Sequence, residues 1–154
     1  MAVAVGSKAP DFTLTNQDRE AVTLSKLRGK PVVLAFFPAA FSSVCTKELC
    51  TFRDSLAGLG KAEAQVFGIS VDTFFALKAF QDQQKLTFPL LSDFNKTAMR
   101  DYGAFNEDMI GMHGIAKRAT FVIDKDGMVR HAEVLEDARN EPNYEAVFKT
   151  LAAL

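Results

Sequence analysis

The chain has 154 residues, and its formal net charge is −1. This length is typical of one domain with a complete hydrophobic core, so we expect a single domain over residues 1–154. A charge near zero without blocks of like charge does not favour binding to nucleic acid or to an anionic membrane. The first residues lack the basic region of a signal peptide, and no apolar run reaches the ~20 residues that span a bilayer. Two cysteines without an export signal indicate a reducing compartment, so we expect a cytoplasmic protein.

The hydrophobic pattern predicts strands that alternate with helices. Extended segments are continuously apolar or alternate with period two, whereas helices repeat apolar residues at steps of three and four. Asp72 is expected to cap the second helix. Strands are predicted over residues 11–15, 22–24, 31–37, 65–71, 88–91, 120–124 and 128–134, and helices over residues 43–59, from Asp72 to Gln84, 96–101 and 144–154.

This order of elements predicts an α/β fold. Strand–helix units followed by a β-hairpin and a last helix imply a central mixed β-sheet flanked by helices on both faces. Functional sites in such sheets lie beyond the carboxyl ends of the strands. The segment that starts at Pro38 follows the apolar strand 31–37, so it occupies such a position.

Cys45 lies where this strand leads into the first turn of a helix. Free backbone N–H groups and the positive end of the helix dipole stabilise a thiolate there. The alternative is a small buried hydrophobe, because Cys45 also begins an apolar stripe. That stripe consists of Cys45, Leu49, Phe52, Leu56 and Leu59.

Cys50 follows five residues later in the same predicted helix. That spacing corresponds to about 140° around the axis and about 7.5 Å along it. The two Cα atoms would then be roughly 8–9 Å apart, whereas a disulfide bridges at most ~7 Å. A Cys45–Cys50 disulfide therefore requires the first turns of the helix to unwind. A packing role and a redox role for Cys50 both remain open at this point.

The motif Pro38-x-x-x-Ser42-x-x-Cys45 resembles the active-site motif of the peroxiredoxins. The similarity is to the branch that contains the bacterioferritin-comigratory (Q-type) and one-cysteine alkyl hydroperoxide reductase E-like enzymes. It covers nearly the whole chain and implies a single thioredoxin-like peroxiredoxin domain over residues 1–154. The flanking segments that carry it are Ala9–Leu14, Phe36–Pro38, Phe88–Asp93 and Arg118–Asp124.

The resemblance implies a thiol-dependent peroxidase that acts on hydrogen peroxide and organic hydroperoxides. Cys45 would attack the terminal peroxide oxygen and become a sulfenic acid. Cys50 matches the resolving cysteine of those Q-type enzymes that carry Cys-x4-Cys. We therefore favour an intramolecular disulfide that a thioredoxin- or glutaredoxin-type partner reduces. Other stretches are closer to the one-cysteine branch, in which an external thiol reduces the sulfenic acid.

The resemblance implies roles for two charged residues. Arg118 would bring a fixed positive charge to Cys45 and polarise the peroxide, although an arginine at a strand edge is more often a surface residue. Glu48 would orient Arg118. The alternative for Glu48 is a first-turn carboxylate that interacts with the helix dipole.

Polar groups around Cys45 also acquire roles. Ser42 would hydrogen-bond the peroxide or the thiolate, and otherwise it would cap the helix. Ser42 stands where threonine is common in the family, and its less restricted χ1 would hold the hydroxyl less tightly. Pro38 would shield the sulfur from water, and the backbone N–H groups of Val44 and Cys45 would stabilise negative charge on oxygen.

The resemblance implies no cofactor and no metal. The two cysteines with His113 and His131 do not have the ligand spacing of a zinc site. A thioredoxin-type oxidoreductase is disfavoured because Cys-x4-Cys is not Cys-x-x-Cys. The alternative outside enzymes is a redox-sensing binding protein that a Cys45–Cys50 disulfide switches.

Assembly is predicted from two phenylalanines. Phe41 lies beside the motif, and Phe75 points away from the apolar side of the helix that follows Asp72. The related enzymes pair through their active-site loops, so the resemblance implies a homodimer with Phe41 and Phe75 at its interface.

Overall fold

The computed structural model describes residues 3–56 and 64–154. Strands and helices alternate along the chain, largely as the hydrophobic pattern predicts. The strands are β1 (Thr13–Asn16), β2 (Ala21–Thr23), β3 (Val32–Phe36), β4 (Gln65–Ser70), β5 (Leu90–Ser92), β6 (Phe105–Asn106), β7 (Ile115–Ala116), β8 (Arg118–Ile123) and β9 (Val129–Leu135). The α-helices are α1 (Ser43–Leu56), α2 (Phe74–Gln84), α3 (Thr97–Asp101) and α4 (Tyr144–Ala152), and a 3-10 helix spans Leu24–Leu27.

A mixed seven-stranded sheet forms the centre of the fold, in the order β2-β1-β5-β4-β3-β8-β9. The neighbours β3, β4 and β5 run parallel. The pairs β3–β8, β8–β9, β1–β5 and β1–β2 are antiparallel. The strands β6 and β7 form a separate small sheet. The predicted mixed sheet is confirmed.

The central strand β3 divides the hydrophobic core into two halves. All five of its residues are buried. Val33 and Ala35 face the half that holds the apolar residues of α1, α2 and α4. Leu34 and Phe36 face the other half, which includes Met99 of α3. Successive strand residues point to opposite faces, so both faces of the sheet are covered and helices lie on each.

The predicted apolar stripe of α1 is buried as far as it is described. Cys45, Leu49 and Phe52 all belong to the core half that contains α2 and α4. Leu59 and the side chain of Leu56 lie outside the described residues, as does the predicted helical segment beyond residue 56.

The prediction that Asp72 caps α2 is wrong. The N-cap is Thr73, whose side-chain oxygen accepts a hydrogen bond from the Ala76 N–H. The carboxylate of Asp72 instead accepts hydrogen bonds from the Ala40 N–H and the Ser70 hydroxyl. Within residues 3–56 and 64–154, no helix is long and apolar enough to cross a membrane.

Candidate active site

The loop between β3 and α1 holds Cys45 at the carboxyl end of the parallel strands. Its conformation is constrained at two points. The Ala40 N–H donates to the Asp72 carboxylate at 2.8 Å, which ties the loop to the segment after β4. Phe41 adopts a left-handed backbone with φ of 71°, a region that residues other than glycine seldom occupy. Such strained residues are concentrated at functional sites.

Cys45 is the third residue of α1 and is 1% exposed. The Thr46 N–H donates to the Ser42 carbonyl at 2.9 Å, which closes the first turn. The N–H groups of Val44 and Cys45 precede that bond and have no helical carbonyl to pair with. Together with the helix dipole, they make this end of α1 a favourable place for a thiolate and for an oxygen that gains negative charge.

Arg118, the first residue of β8, reaches the Cys45 sulfur. Both Nη1 and Nη2 lie 3.4 Å from Cys45 Sγ, so the guanidinium presents two donors to one sulfur. Arg118 is only 1% exposed, which is rare for an arginine and requires paired charges around it. Because β8 pairs with β3, the sheet itself brings these two residues together across 73 positions of sequence.

Glu48 forms an ion pair with Arg118 and is fully buried. Its Oε1 atom accepts from Arg118 Nη1 at 3.2 Å. Burial raises the pKa of Glu48 to about 8, although the charge and hydrogen bond of Arg118 oppose that rise. Burial would lower the pKa of Arg118, but attraction to Glu48 and Cys45 outweighs it and raises that pKa.

A backbone carbonyl completes the set of acceptors around Arg118. Its Nη2 atom donates to the Ala138 carbonyl at 2.9 Å. The guanidinium is therefore held by Glu48, Cys45 and Ala138, with a fork geometry that a lysine could not reproduce. Ala138 was absent from the sequence prediction, since a carbonyl has no signature in the sequence. The register of the β8–β9 hairpin, which pairs Arg118 with Leu135, would have pointed to the residues that follow β9.

Ser42 and Pro38 lie beside Cys45 in different environments. Pro38 is buried two residues after the end of β3. Ser42 is exposed, and its hydroxyl donates to the Ala39 carbonyl at 2.9 Å. Both residues line the pocket that leads to Cys45.

Cys50 is not brought together with Cys45. Both cysteines are free thiols within the continuous helix α1. Cys50 is half-buried, and its sulfur donates to Gln84 Oε1 at 3.6 Å, at the end of α2. The expectation that a disulfide requires unwinding of α1 remains a prediction.

An open pocket of about 810 Å³ leads to Cys45. One wall consists of Pro38, Ser42, Ser43, Val44, Cys45 and Arg118, of which only Ser43 was not predicted. The opposite walls come from the loop after β6 and the segment after β9, neither of which the sequence prediction included. Their lining residues are Asn106, Asp108, Met109, Ile110, Glu136, Asp137, Ala138 and Arg139, together with Lys117.

Neither histidine lines the pocket that leads to Cys45. His113 is exposed, with Nδ1 3.2 Å from the Glu107 carbonyl oxygen, and His131 is half-buried on β9. Within the described parts of the chain, no three His, Cys, Asp or Glu side chains are grouped so as to hold a metal ion.

The fold and the site define a thioredoxin-like domain with a cysteine at a helix N-terminus beside a buried arginine. A family model described as "AhpC/TSA family" matches residues 5–132. The chain therefore belongs to the AhpC/TSA family, the peroxiredoxins.

Relatives and solved structures agree with this assignment. Peroxiredoxin Q, chloroplastic, from Oryza sativa subsp. japonica is 44% identical over 129 residues, 84% of this chain and 58% of the relative. The chain thus spans less than two thirds of this relative's length. Alkyl hydroperoxide reductase E from Mycobacterium bovis is 44% identical over 133 residues, which cover 84% of each chain. The crystal structure of peroxidoxin BcpB from Mycobacterium tuberculosis superposes with a TM-score of 0.87 at 34% identity and covers 97% of both chains.

Proposed function

We propose that this protein is a thiol-dependent peroxidase in which Cys45 reduces hydroperoxides. The observation that carries the proposal is the buried Cys45 sulfur, which lies 3.4 Å from both terminal nitrogens of Arg118. Such contacts stabilise a thiolate, which is the nucleophilic form of cysteine. Family membership supports the same chemistry.

The reaction is a displacement on oxygen. The Cys45 thiolate attacks the terminal oxygen of a hydroperoxide, an S–O bond forms and the O–O bond breaks. Cys45 becomes a sulfenic acid, while the leaving hydroxide or alkoxide takes a proton and departs as water or an alcohol. In this proposal, the N–H groups of Val44 and Cys45 and the guanidinium of Arg118 stabilise the charge on the departing oxygen.

Each remaining site residue has a supporting task in this proposal. Glu48 holds the Arg118 guanidinium beside the Cys45 sulfur through its 3.2 Å contact with Nη1. Ser42 directs its hydroxyl oxygen to the peroxide, and Pro38 keeps bulk water from the sulfur. We propose hydrogen peroxide and organic hydroperoxides as substrates, and the open pocket of about 810 Å³ supports this range.

We further propose that Cys50 resolves the sulfenic acid. Its thiol attacks the Cys45 sulfur, a disulfide forms and water leaves, after which a thioredoxin- or glutaredoxin-type dithiol reduces the disulfide. Because Cys50 is bonded to Gln84 in the reduced protein, this step requires α1 to open and that contact to break. The cycle needs a reducing compartment, and we propose the cytoplasm.

We propose that the protein forms a homodimer through Phe41 and Phe75. These side chains are 51% and 62% exposed, which is high for phenylalanine. The Phe41 ring packs edge-on to Phe80 of α2, with centroids 5.1 Å apart, so Phe41 is connected to the helix that carries Phe75. An interface there would also cover the strained active-site loop.

Intact-protein mass spectrometry after one equivalent of hydrogen peroxide tests this function. Wild type is expected to lose two mass units as a disulfide, and the Cys50→Ser variant to gain about sixteen as a sulfenic acid. A wild type that gains sixteen would make this a one-cysteine enzyme that depends on an external thiol. If both proteins stay unchanged, the peroxidase proposal is wrong.

A further inference from the structure

Four buried side-chain atoms in the described part of the chain have no hydrogen-bond partner in the protein. They are Glu48 Oε2, Arg118 Nε, Thr120 Oγ1 and His131 Nε2. Buried polar atoms are nearly always bonded to protein or to ordered water, so each of these requires a partner. Two of them belong to the ion pair that holds the Cys45 site.

Three of the four atoms belong to side chains of the β8–β9 hairpin, and the fourth, Glu48 Oε2, belongs to α1. In β8, Ala119 and Phe121 face one core half, whereas Val122 faces the half that contains α1 and α4. Alternation along the strand therefore places Thr120 on the α1 side, the same side as Arg118. Val122 pairs with His131, so the histidine shares this side of the hairpin.

Thr120 lies two residues after Arg118 on β8, on the side of the sheet that α1 covers. It is fully buried, and its neighbours in register are Ala35 of β3 and Glu133 of β9. Glu133 is close enough to Glu48 to raise the pKa of Glu48. The hydroxyl of Thr120, the free oxygen of Glu48 and the Nε of Arg118 are thus all buried on the side of the sheet that α1 covers.

We propose that Thr120 is a positioning residue for the Cys45 site, and that its hydroxyl and a buried water molecule together hold the free oxygen of Glu48 and the Nε of Arg118. A water molecule matches this set because Arg118 Nε donates, the Glu48 oxygen accepts and the Thr120 hydroxyl does either. Three polar partners are the usual number for a buried water.

The proposed water would limit movement of the Arg118 guanidinium. Glu48 fixes the guanidinium only through Oε1, so a second bond at Oε2 limits rotation of the carboxyl group and of the arginine it holds. This inference rests on the proposed role of Cys45, whose sulfur both terminal nitrogens of Arg118 contact. The charged and titratable groups around Glu48 are Arg118, Glu133, Glu141 and Tyr144, and Cys45 shares its partner Arg118.

Alkylation of Cys45 as a function of pH tests the inference without any peroxide. The measurement uses iodoacetamide in a Cys50→Ser background, so that only Cys45 reacts. Thr120→Val keeps the shape of the side chain but removes the hydroxyl. It is expected to slow alkylation at pH 7 about fivefold, the effect of one lost net hydrogen bond, and to move the pH profile upward.

Two matched variants separate positioning from packing. Thr120→Ser keeps the hydroxyl and is expected to retain the wild-type pH profile. Val122→Ala opens a cavity on the same side of β8 and is expected to lower stability without moving the profile. A Thr120→Val protein with the wild-type profile would overturn the inference.

A high-resolution crystal structure of the wild type decides the matter if Thr120→Val does not fold. An ordered water within hydrogen-bonding distance of both Glu48 Oε2 and Thr120 Oγ1 is expected. A Thr120 hydroxyl bonded only to protein atoms would overturn the inference. Because neither readout involves peroxide, failure of the peroxidase proposal would be seen separately.

Discussion

Replacement of Arg118 by methionine removes the charge beside Cys45 while keeping much of the side-chain volume. The structure gives two contacts of 3.4 Å between the guanidinium and the sulfur. A full charge pair at that distance is worth about 5 kcal/mol at an effective dielectric constant of about 20. Since Glu48 shares the guanidinium, a loss of about 3 kcal/mol is expected, which corresponds to about two orders of magnitude in rate. Arg118→Lys keeps the charge but loses the fork, and about a tenfold loss is expected.

The assay is the rate at which hydrogen peroxide oxidises Cys45 in a single turnover. The chain contains no tryptophan, so oxidation cannot be followed by indole fluorescence. Samples are instead quenched and alkylated, and their masses are measured by mass spectrometry. Denaturant unfolding of each variant shows that the folded state persists under the assay conditions. An Arg118→Met protein that is oxidised within twofold of the wild-type rate would refute the reasoning.

Three further predictions concern the buried pair, the assembly and the core. Burial raises the pKa of Glu48, so the folded state binds a proton at Glu48 more tightly than the unfolded state does. Stability should therefore fall as pH rises above about 4.5, the ordinary pKa of a glutamate, and Glu48→Gln should flatten this slope in denaturant unfolding; an unchanged slope contradicts this. Phe75→Asp should give a monomer in sedimentation velocity. The control Val5→Asp, at a position that is 60% exposed, should leave the dimer intact. A Phe75→Asp protein that remains a dimer argues against the interface. Tyr102→Phe should cost about 1–2 kcal/mol in urea unfolding, because the buried hydroxyl donates to the Pro10 carbonyl at 2.7 Å; a neutral effect would show that water replaces it.

The strands and helices that the sequence predicts best are those with a long apolar pattern. All five residues of β3 are buried, and the continuous apolar run at 31–37 predicted this burial. The strands β6 and β7 are two residues long, too short for any periodicity, and they were missed. The cap of α2 was misplaced by one residue because Asp72 and Thr73 are both good caps. Only the tertiary contact with the Ala40 N–H decides between them.

The site was predictable where chemistry is tied to a local motif. The position of Cys45 at the start of α1 follows from the strand and helix patterns alone. The proximity of Arg118 does not, since it depends on β8 pairing beside β3, and the expectation came from the family resemblance. The Ala138 carbonyl and the loop after β6 became visible only in three dimensions, because a backbone acceptor and a pocket wall leave no residue pattern.

The central claim is that Cys45 is the residue that reduces peroxide. The most direct test is the rate of hydrogen peroxide consumption by wild type, Cys45→Ser and Cys50→Ser, each with an excess of a small external thiol. The account predicts rapid consumption by wild type and by Cys50→Ser, and only the uncatalysed rate with Cys45→Ser. Consumption by Cys45→Ser at the wild-type rate would contradict it.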